Sequence, residues 1–314
     1  MLQYRIPGNE KVTLLGQFTK RTEPFDLKGF VVSNASGQTQ YVFTEEAVPS
    51  SPVGTETPKI ISRSAFKDQV MRIKYAIQVG LIKVVLSRIT LKPFPINQQA
   101  NYFDKLCEAY PNAFVYAFDD AILGKWVGAS PEILLRRVKQ HFFTMSLAGT
   151  QKISENREWT EKEKNEQLLV TDFICSELSA QNIETVEQMG PYDHVAGPVK
   201  HLRTDIGFYA DPQFEKEFIQ HLHPTPAVCG LPRSMAAEAI SLVEEHDRLL
   251  YSGFIGWFEN DHTHCYVNLR CGKIIDNVLY AFVGAGITAD SDPELEWLET
   301  ENKSKTLFDL IEID

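Results

Sequence analysis

From Ser64 onward the apolar residues change spacing again and again, and this switching constrains the fold more than any other feature of the chain. Phe66, Val70, Ile73 and Ile77 recur at helical spacing and predict a helix ending near Gly80. The run Ile82 to Thr90 then alternates and is rich in β-branched residues, the pattern of a strand. Further helices are expected near residues 98–109, 157–180, 211–221, 233–246 and 293–311. Further strands are expected near 113–118, 121–127, 132–138, 141–146, 183–189, 250–258, 264–271 and 278–283. Several neighbouring strands are too close in sequence for a crossover helix, so the fold class is α/β (α+β) with largely antiparallel or mixed sheets. Residues 1 to about 47 read as short strands, and Val48 to Pro58, rich in Pro, Ser and Thr, as a long loop or linker.

Composition narrows the partners. Against 42 Asp+Glu there are 31 Lys+Arg, a formal net charge of −11, so no nucleic acid or anionic membrane is expected as partner, since either needs a basic face. No apolar run approaches the roughly 20 residues of a membrane span, and MLQYRIPGNEKV has no continuous apolar stretch like that of a signal peptide. A soluble, cytoplasmic protein is expected. Cys107, Cys175, Cys229, Cys265 and Cys271 are odd in number, widely spread and never in a CxxC pair, which points to buried reduced thiols.

Two of the expected helices carry glutamate pairs on their apolar stripes. Glu163 and Glu166 fall on one arc with Val170, Ile174 and Glu177, and Glu296 and Glu299 on one arc with Lys303, Leu307 and Leu310. Asp292 as N-cap and Pro293 at the first helical position start the second helix cleanly. Carboxylates buried on two helices repel one another unless a cation lies between them, and four without His or Cys select a hard ion such as Mg²⁺. The same spacing also suits solvated faces, with Glu299 and Lys303 an ordinary i,i+4 pair. Gly284-Ala285-Gly286 reads either as a turn whose backbone N–H groups approach an anion or as a plain tight turn. Gly149 and Thr150 place a glycine and a hydroxyl at a strand end. Glu132 follows a turn and Lys83 opens an apolar strand, and each also has a bland reading, as a turn-flanking acid and an edge charge. His221 with His223, and His262 with His264, lack a matching second ligand pair and read as loop histidines, not a zinc site.

Taken together these segments are more specific than any one of them. Lys83-Val-Val-Leu-Ser-Arg88, Ser130-Pro-Glu132, Leu147-Ala-Gly-Thr150 and His223-Pro-Thr-Pro-Ala-Val228 occur in that order. Tyr251-Ser-Gly253, Asn268-Leu-Arg270, Gly284-Ala-Gly-Ile287 and Glu296-Trp-Leu-Glu-Thr-Glu-Asn-Lys303 follow. The set resembles the chorismate-utilising enzymes: isochorismate, salicylate, anthranilate and aminodeoxychorismate synthases. The resemblance covers residues 62–314, a motif-bearing catalytic core, while residues 1–60 form a shortened part without a motif of a single chorismate-binding domain, 1–314.

The resemblance implies an anthranilate-synthase-like fold, two packed antiparallel sheets with helices outside and a central active site. It implies Mg²⁺ held by Glu166 and Glu299, with Glu163 and Glu296 reaching it through water. Gln167 departs from the family, where many members have His after the first metal glutamate. Lys83 stands where anthranilate synthases have Gln, and Ala148 where aminodeoxychorismate synthases have a nucleophilic Lys, so both positions select water as nucleophile. Lys83 would then take a proton from water attacking ring carbon 2, and Glu132 would protonate the hydroxyl leaving carbon 4. Gly149 and Thr150 would meet the ring carboxylate, Tyr251, Arg270, Gly284 and Lys303 the enolpyruvyl carboxylate, Ala285 and Gly286 would also bind substrate, and His201 and His223 would line the ring site. The expected activity is isochorismate synthase, for menaquinone or siderophore biosynthesis. Salicylate synthase is the nearest alternative, and anthranilate synthase component I or a non-catalytic chorismate-binding subunit stands further off. No amidotransferase subunit is expected as partner, and the chain is expected to be a monomer or weak dimer.

Overall fold

The computed structural model describes residues 1–21, 27–45, 56–155, 157–196 and 199–312, so most of the linker expected at Val48 to Pro58 lies outside the described residues. Among the described residues two sheets form. The first runs, in spatial order, Gly230–Leu231, Lys83–Pro93, Val278–Ile287, Cys271–Ile275, Gly124–Ser130, Phe114–Asp120, Leu2–Arg5 and Val12–Leu14. The second runs Glu187–Ala196, Val199–Tyr209, His141–Lys152, Ile133–Val138, His262–Val267, Phe254–Phe258, Gly29–Ser33, Gln40–Thr44 and Gln17–Arg21. The paired strands are antiparallel, as the short connections required. The N-terminal strands extend both sheets and do not form a separate layer.

An aromatic core glues the sheets face to face: Phe30 and Ile255 from the second meet Phe114, Trp126 and Phe282 from the first. Helices cover the outer faces. Glu161–Ala180 and Glu215–Leu222 pack Val170, Ile174 and Phe218 on the second sheet. On the first, Tyr102–Ala109 and Pro293–Phe308 bury Tyr102, Leu106 and Leu307, while Arg63–Ile77 and Arg233–Val243 bury Phe66, Val70 and Ala236 against Val84 and Leu86. With both faces covered, the Lys83–Pro93 strand is buried from Lys83 to Ile89. Arg88, on its helix-facing side, stacks 3.6 Å over the Trp297 ring and bonds Thr300 and Glu301, tying this strand to the helix that carries Glu296 and Glu299. All five cysteines are unpaired, and no described helix is long and apolar enough to cross a membrane.

Several boundaries differ from the sequence reading. The helix expected over 157–180 starts at Glu161, because Thr160 caps it and Glu163 completes a capping box. The 98–109 helix is split into Ile96–Gln99 and Tyr102–Ala109. The run 264–271 is two strands in different sheets, since Arg270 takes a left-handed φ of 49° between them. The strand expected at 183–189 lies at Glu187–Ala196, and its partner Val199–Tyr209 was not anticipated. Leu202, Thr204, Ile206 and Phe208 alternate inward there as a strand should, but Arg203 and Asp205 between them, with Lys200 just before, obscured the run.

Gly230 pairs with Val84 at φ 136°, and a Cβ there would lie 2.1 Å from the Lys83 carbonyl oxygen. Gly230→Ala should therefore destabilise the fold by about 3 kcal/mol in denaturant unfolding. An unchanged midpoint would mean that this edge does not hold the Lys83 strand.

Candidate active site

A cleft opens where the chain crosses between the sheets. Ser130 ends a strand of the first sheet and Ile133 begins one of the second, so Pro131 and Glu132 make that crossing. Asn268, Leu269 and Arg270 make the return, between Val267 and Cys271. The two crossings are tied together: Ala129 N–H donates to the Arg270 carbonyl at 3.1 Å and Val267 N–H to the Glu132 carbonyl at 2.9 Å. The Asn268 side chain locks the return, accepting from the Tyr116 hydroxyl at 2.8 Å and donating to the Leu250 carbonyl at 2.9 Å. The crossings thus aim one carboxyl and one guanidinium from opposite sheets into the same space.

The cleft measures about 300 Å³. Lys83, Glu132, Gly149, His201, Tyr251 and Arg270 line it, as do Gly284, Gly286, Lys303 and the carboxylates Glu163, Glu166, Glu296 and Glu299. Ala285 does not, because strand alternation turns it to the other face, buried beside Val84 and Leu86. His223 also lies elsewhere: its Nε2 is 3.2 Å from the Ala35 carbonyl and its ring meets Phe254 edge-on. The backbone of Thr150 continues the strand from Gly149, and its side chain lies outside the described residues.

Gly284-Ala285-Gly286 is not a turn before a helix. It lies inside Val278–Ile287, paired with Ser87, Leu86 and Val85. The glycines make room: a Cβ on Gly284 would lie 2.7 Å from the Tyr251 hydroxyl, and one on Gly286 2.7 Å from Glu166 Oε1 and 2.9 Å from Lys83 Cε. Gly149, at φ 69°, sits where the pairing of two strands shifts register between Ala148 and Gln151.

Glu163, Glu166, Glu296 and Glu299 each have a cation of their own. Lys83 Nζ is 2.6 Å from Glu166 Oε1, Lys303 Nζ 2.5 Å from Glu299 Oε1, and Lys162 Nζ 3.2 Å from Glu296 Oε1. Arg157 holds Glu163 with two bonds, at 2.9 and 2.7 Å. Burial, reinforced by Glu299, pushes the Glu296 carboxyl up, whereas against the same burial Lys303 holds Glu299 below its ordinary value. Lys162 and Arg157 were not singled out in the sequence. No periodicity encodes the Lys162–Glu296 contact, which joins residues 134 apart.

The donor set is four carboxylates, with His201 the imidazole on the lining, and its Nδ1 already bonds the Gly149 carbonyl at 2.8 Å. Such hard oxygens suit a divalent ion of the Mg²⁺ type. Among the described residues no three such side chains converge tightly enough to hold an ion as placed, each carboxylate being folded onto its own cation. Gln167 faces the sheet, donating to Ser146 Oγ at 2.8 Å and Thr204 Oγ1 at 2.9 Å, so it anchors the Glu163 helix from behind.

Glu132 differs from the other acids. It is 3% exposed, and burial pushes its carboxyl up from 4.5 to about 7, against the opposing charges of Lys83, Arg270 and Lys303. The Thr225 hydroxyl donates to Oε1 at 3.4 Å. A carboxyl poised near neutrality can deliver a proton there. Burial and the Arg270 charge push His201 down to about 3, so its ring is neutral at pH 7.

Comparison with known proteins adds to this geometry. A family model described as "Chorismate binding enzyme" matches residues 21–312. Isochorismate synthase MenF of Escherichia coli is 34% identical over 248 residues, covering 74% of this chain and 57% of that protein. Anthranilate synthase component 1 of Aquifex aeolicus is 30% identical over 271 residues, covering 80% of this chain and 54% of that protein. The chain thus spans little more than half the length of these relatives. The solved structure of the menaquinone-specific isochorismate synthase MenF from E. coli superposes with a TM-score of 0.80 at 24% identity, covering 99% of this chain and 88% of that one. Anthranilate synthase component I from Streptococcus pneumoniae gives 0.69 at 22% identity, covering 80% of this chain and 58% of that one. These two share the anthranilate-synthase-like architecture seen here.

Because the Glu132 carboxyl is raised in the fold, its neutral form is favoured there, and the resulting stability is present below pH 4.5 and lost as pH rises through about 7. Glu132→Gln should remove this loss. Thermal unfolding from pH 4.5 to 8 should show the wild type falling relative to the variant, and parallel curves would rule out the raised carboxyl.

Proposed function

The chain belongs to the chorismate-binding enzyme family, and from that premise we propose that it is an isochorismate synthase, converting chorismate to isochorismate with Mg²⁺. One observation carries the reading: a lysine, Lys83, and a buried carboxyl poised near neutrality, Glu132, line the same cleft. Lys83 in its neutral form takes a proton from the water that adds at ring carbon 2, and Glu132 gives its proton to the hydroxyl departing from carbon 4. Water added and hydroxyl lost balance, so substrate and product are isomers. Ala148 also lines the cleft, so no side-chain amine stands at that position to compete with water.

Arg270 and Lys303 supply positive charge for the enolpyruvyl carboxylate beside Tyr251 and Gly284. In this reading Glu166 and Glu299 would hold Mg²⁺, with Glu163 and Glu296 behind them through water. When bound, the ion supplies charge neutralisation for the ring carboxylate. With their oxygens on the ion, Glu166 and Glu299 would no longer need Lys83 and Lys303 as counter-ions, which would leave Lys303 to face substrate as a cation and Lys83 free to act as the base. Neutral His201 lines the ring without adding charge. Isochorismate would feed menaquinone or siderophore biosynthesis, and with water as nucleophile no ammonia-supplying subunit is needed.

Incubation with chorismate and Mg²⁺ without ammonia, followed by NMR, should yield isochorismate and no pyruvate. Salicylate with pyruvate would replace this reading with salicylate synthase, and absence of turnover would overturn both. Lys83→Ala and Glu132→Gln should each lower kcat by about 10²-fold or more while the protein stays folded.

A further inference from the structure

Behind the cleft lies a buried ion pair with no part in the chemistry above. The Glu244 carboxylate accepts from Arg248 Nε at 2.8 Å and Nη2 at 2.6 Å, and from Ser87 through its backbone N–H at 2.6 Å and hydroxyl at 2.9 Å. Arg248 uses its remaining donors on three other segments. Nη2 donates to the Val85 carbonyl at 2.7 Å, and Nη1 to the Val228 carbonyl at 2.8 Å and the Ser252 hydroxyl at 3.4 Å. Its guanidinium also stands 6.0 Å from the Tyr251 ring.

Each of those segments brings a side chain to the cleft wall. Val85 lines it directly, and Lys83, two positions earlier on the strand, shares its face. Ala227 precedes Val228 and lines the cleft, and Thr225 in the same loop is the hydroxyl that bonds Glu132. Tyr251 precedes Ser252, which itself takes a left-handed φ of 62°. A single planar guanidinium thus holds in register the segments that carry the base, the partner of the acid and the Tyr251 phenol. Arg is suited to this because its donors diverge in a fixed fork, whereas an ammonium carries no such geometry.

We infer that Glu244 and Arg248 are positioning residues, a clamp behind the cleft that sets Lys83, the Thr225 loop and Tyr251 relative to one another. Neither residue of the clamp lines the cleft. Its kinetic consequence rests on the function proposed above, whereas its effect on the three segments does not. Buried ion pairs are often replaceable by apolar residues without loss of stability, so the clamp separates positioning from folding. A displacement of about 1 Å at reacting groups is enough to cost about 10²-fold in rate.

Two variants test this, Arg248→Lys and the paired apolar replacement Glu244→Leu with Arg248→Met, the second serving if the first unfolds. Amide hydrogen exchange should rise together in residues 81–88, 225–230 and 249–254 in the folded variant, with strand 141–148 unchanged. With chorismate and Mg²⁺, kcat should fall about 10²-fold while KM changes less than about threefold and the melting temperature stays near wild type. Wild-type kcat in a folded variant, or a rate loss no larger than the loss of folded protein, overturns the clamp. Exchange confined to one segment does so too. A wild type that fails to turn over chorismate overturns only the functional reading, since the exchange measurement needs no substrate.

Discussion

Like charges gathered in one cleft must be answered there, and much of this structure follows from meeting that requirement. Glu163, Glu166, Glu296 and Glu299 come from two helices on the outer faces of two different sheets, and without partners their mutual repulsion would force the helices apart. Arg157, Lys83, Lys162 and Lys303 meet them one to one. The pairing crosses elements: Lys83 is on a strand of the first sheet and its partner on the helix covering the second, while Lys162 joins the two helices directly. The same contacts that make the cleft electrically tolerable therefore hold its walls together.

Glu132 sits outside this scheme. Lys83, Arg270 and Lys303 all act on it, but none forms an ion pair with it, so burial wins and the carboxyl tends toward its neutral form. The difference is one of backbone position. The paired glutamates project from helices that lie against solvent, whereas Glu132 is part of a crossing between sheets, with its own carbonyl bonded to Val267 and its side chain enclosed. Arg270 occupies the matching crossing with a strained backbone. The two crossings thus bring to one cleft a carboxyl poised near neutrality and a guanidinium.

The sequence carried much of the fold. Helical spacing at Phe66, Val70, Ile73 and Ile77 is the buried stripe of Arg63–Ile77, and strands too close for crossover helices are antiparallel. The period failed where tertiary demands outweighed it. Val199–Tyr209 buries Leu202 to Phe208 in alternation, but its charged outer face hid it, and the break in the 264–271 run came from a left-handed Arg270 that no propensity favours.

The candidate site shows the same division. That Glu163 with Glu166, and Glu296 with Glu299, share a helical arc is arithmetic at 100° per residue and is legible in the chain alone. Which cation each one meets is not, because Lys162 to Glu296 and Lys83 to Glu166 are contacts between elements far apart in sequence. Gly284 and Gly286 were visible as glycines, yet their reason lies in the Tyr251 hydroxyl and the Lys83–Glu166 pair that fill the space a Cβ would take. Ala285 and His223 belong to the same motifs and still face away from the cleft. Local order along the chain determined which residues share a face, since backbone geometry alone sets that. Partnership, burial and protonation were decided by the tertiary structure, because they depend on what the rest of the chain brings to within a few ångströms.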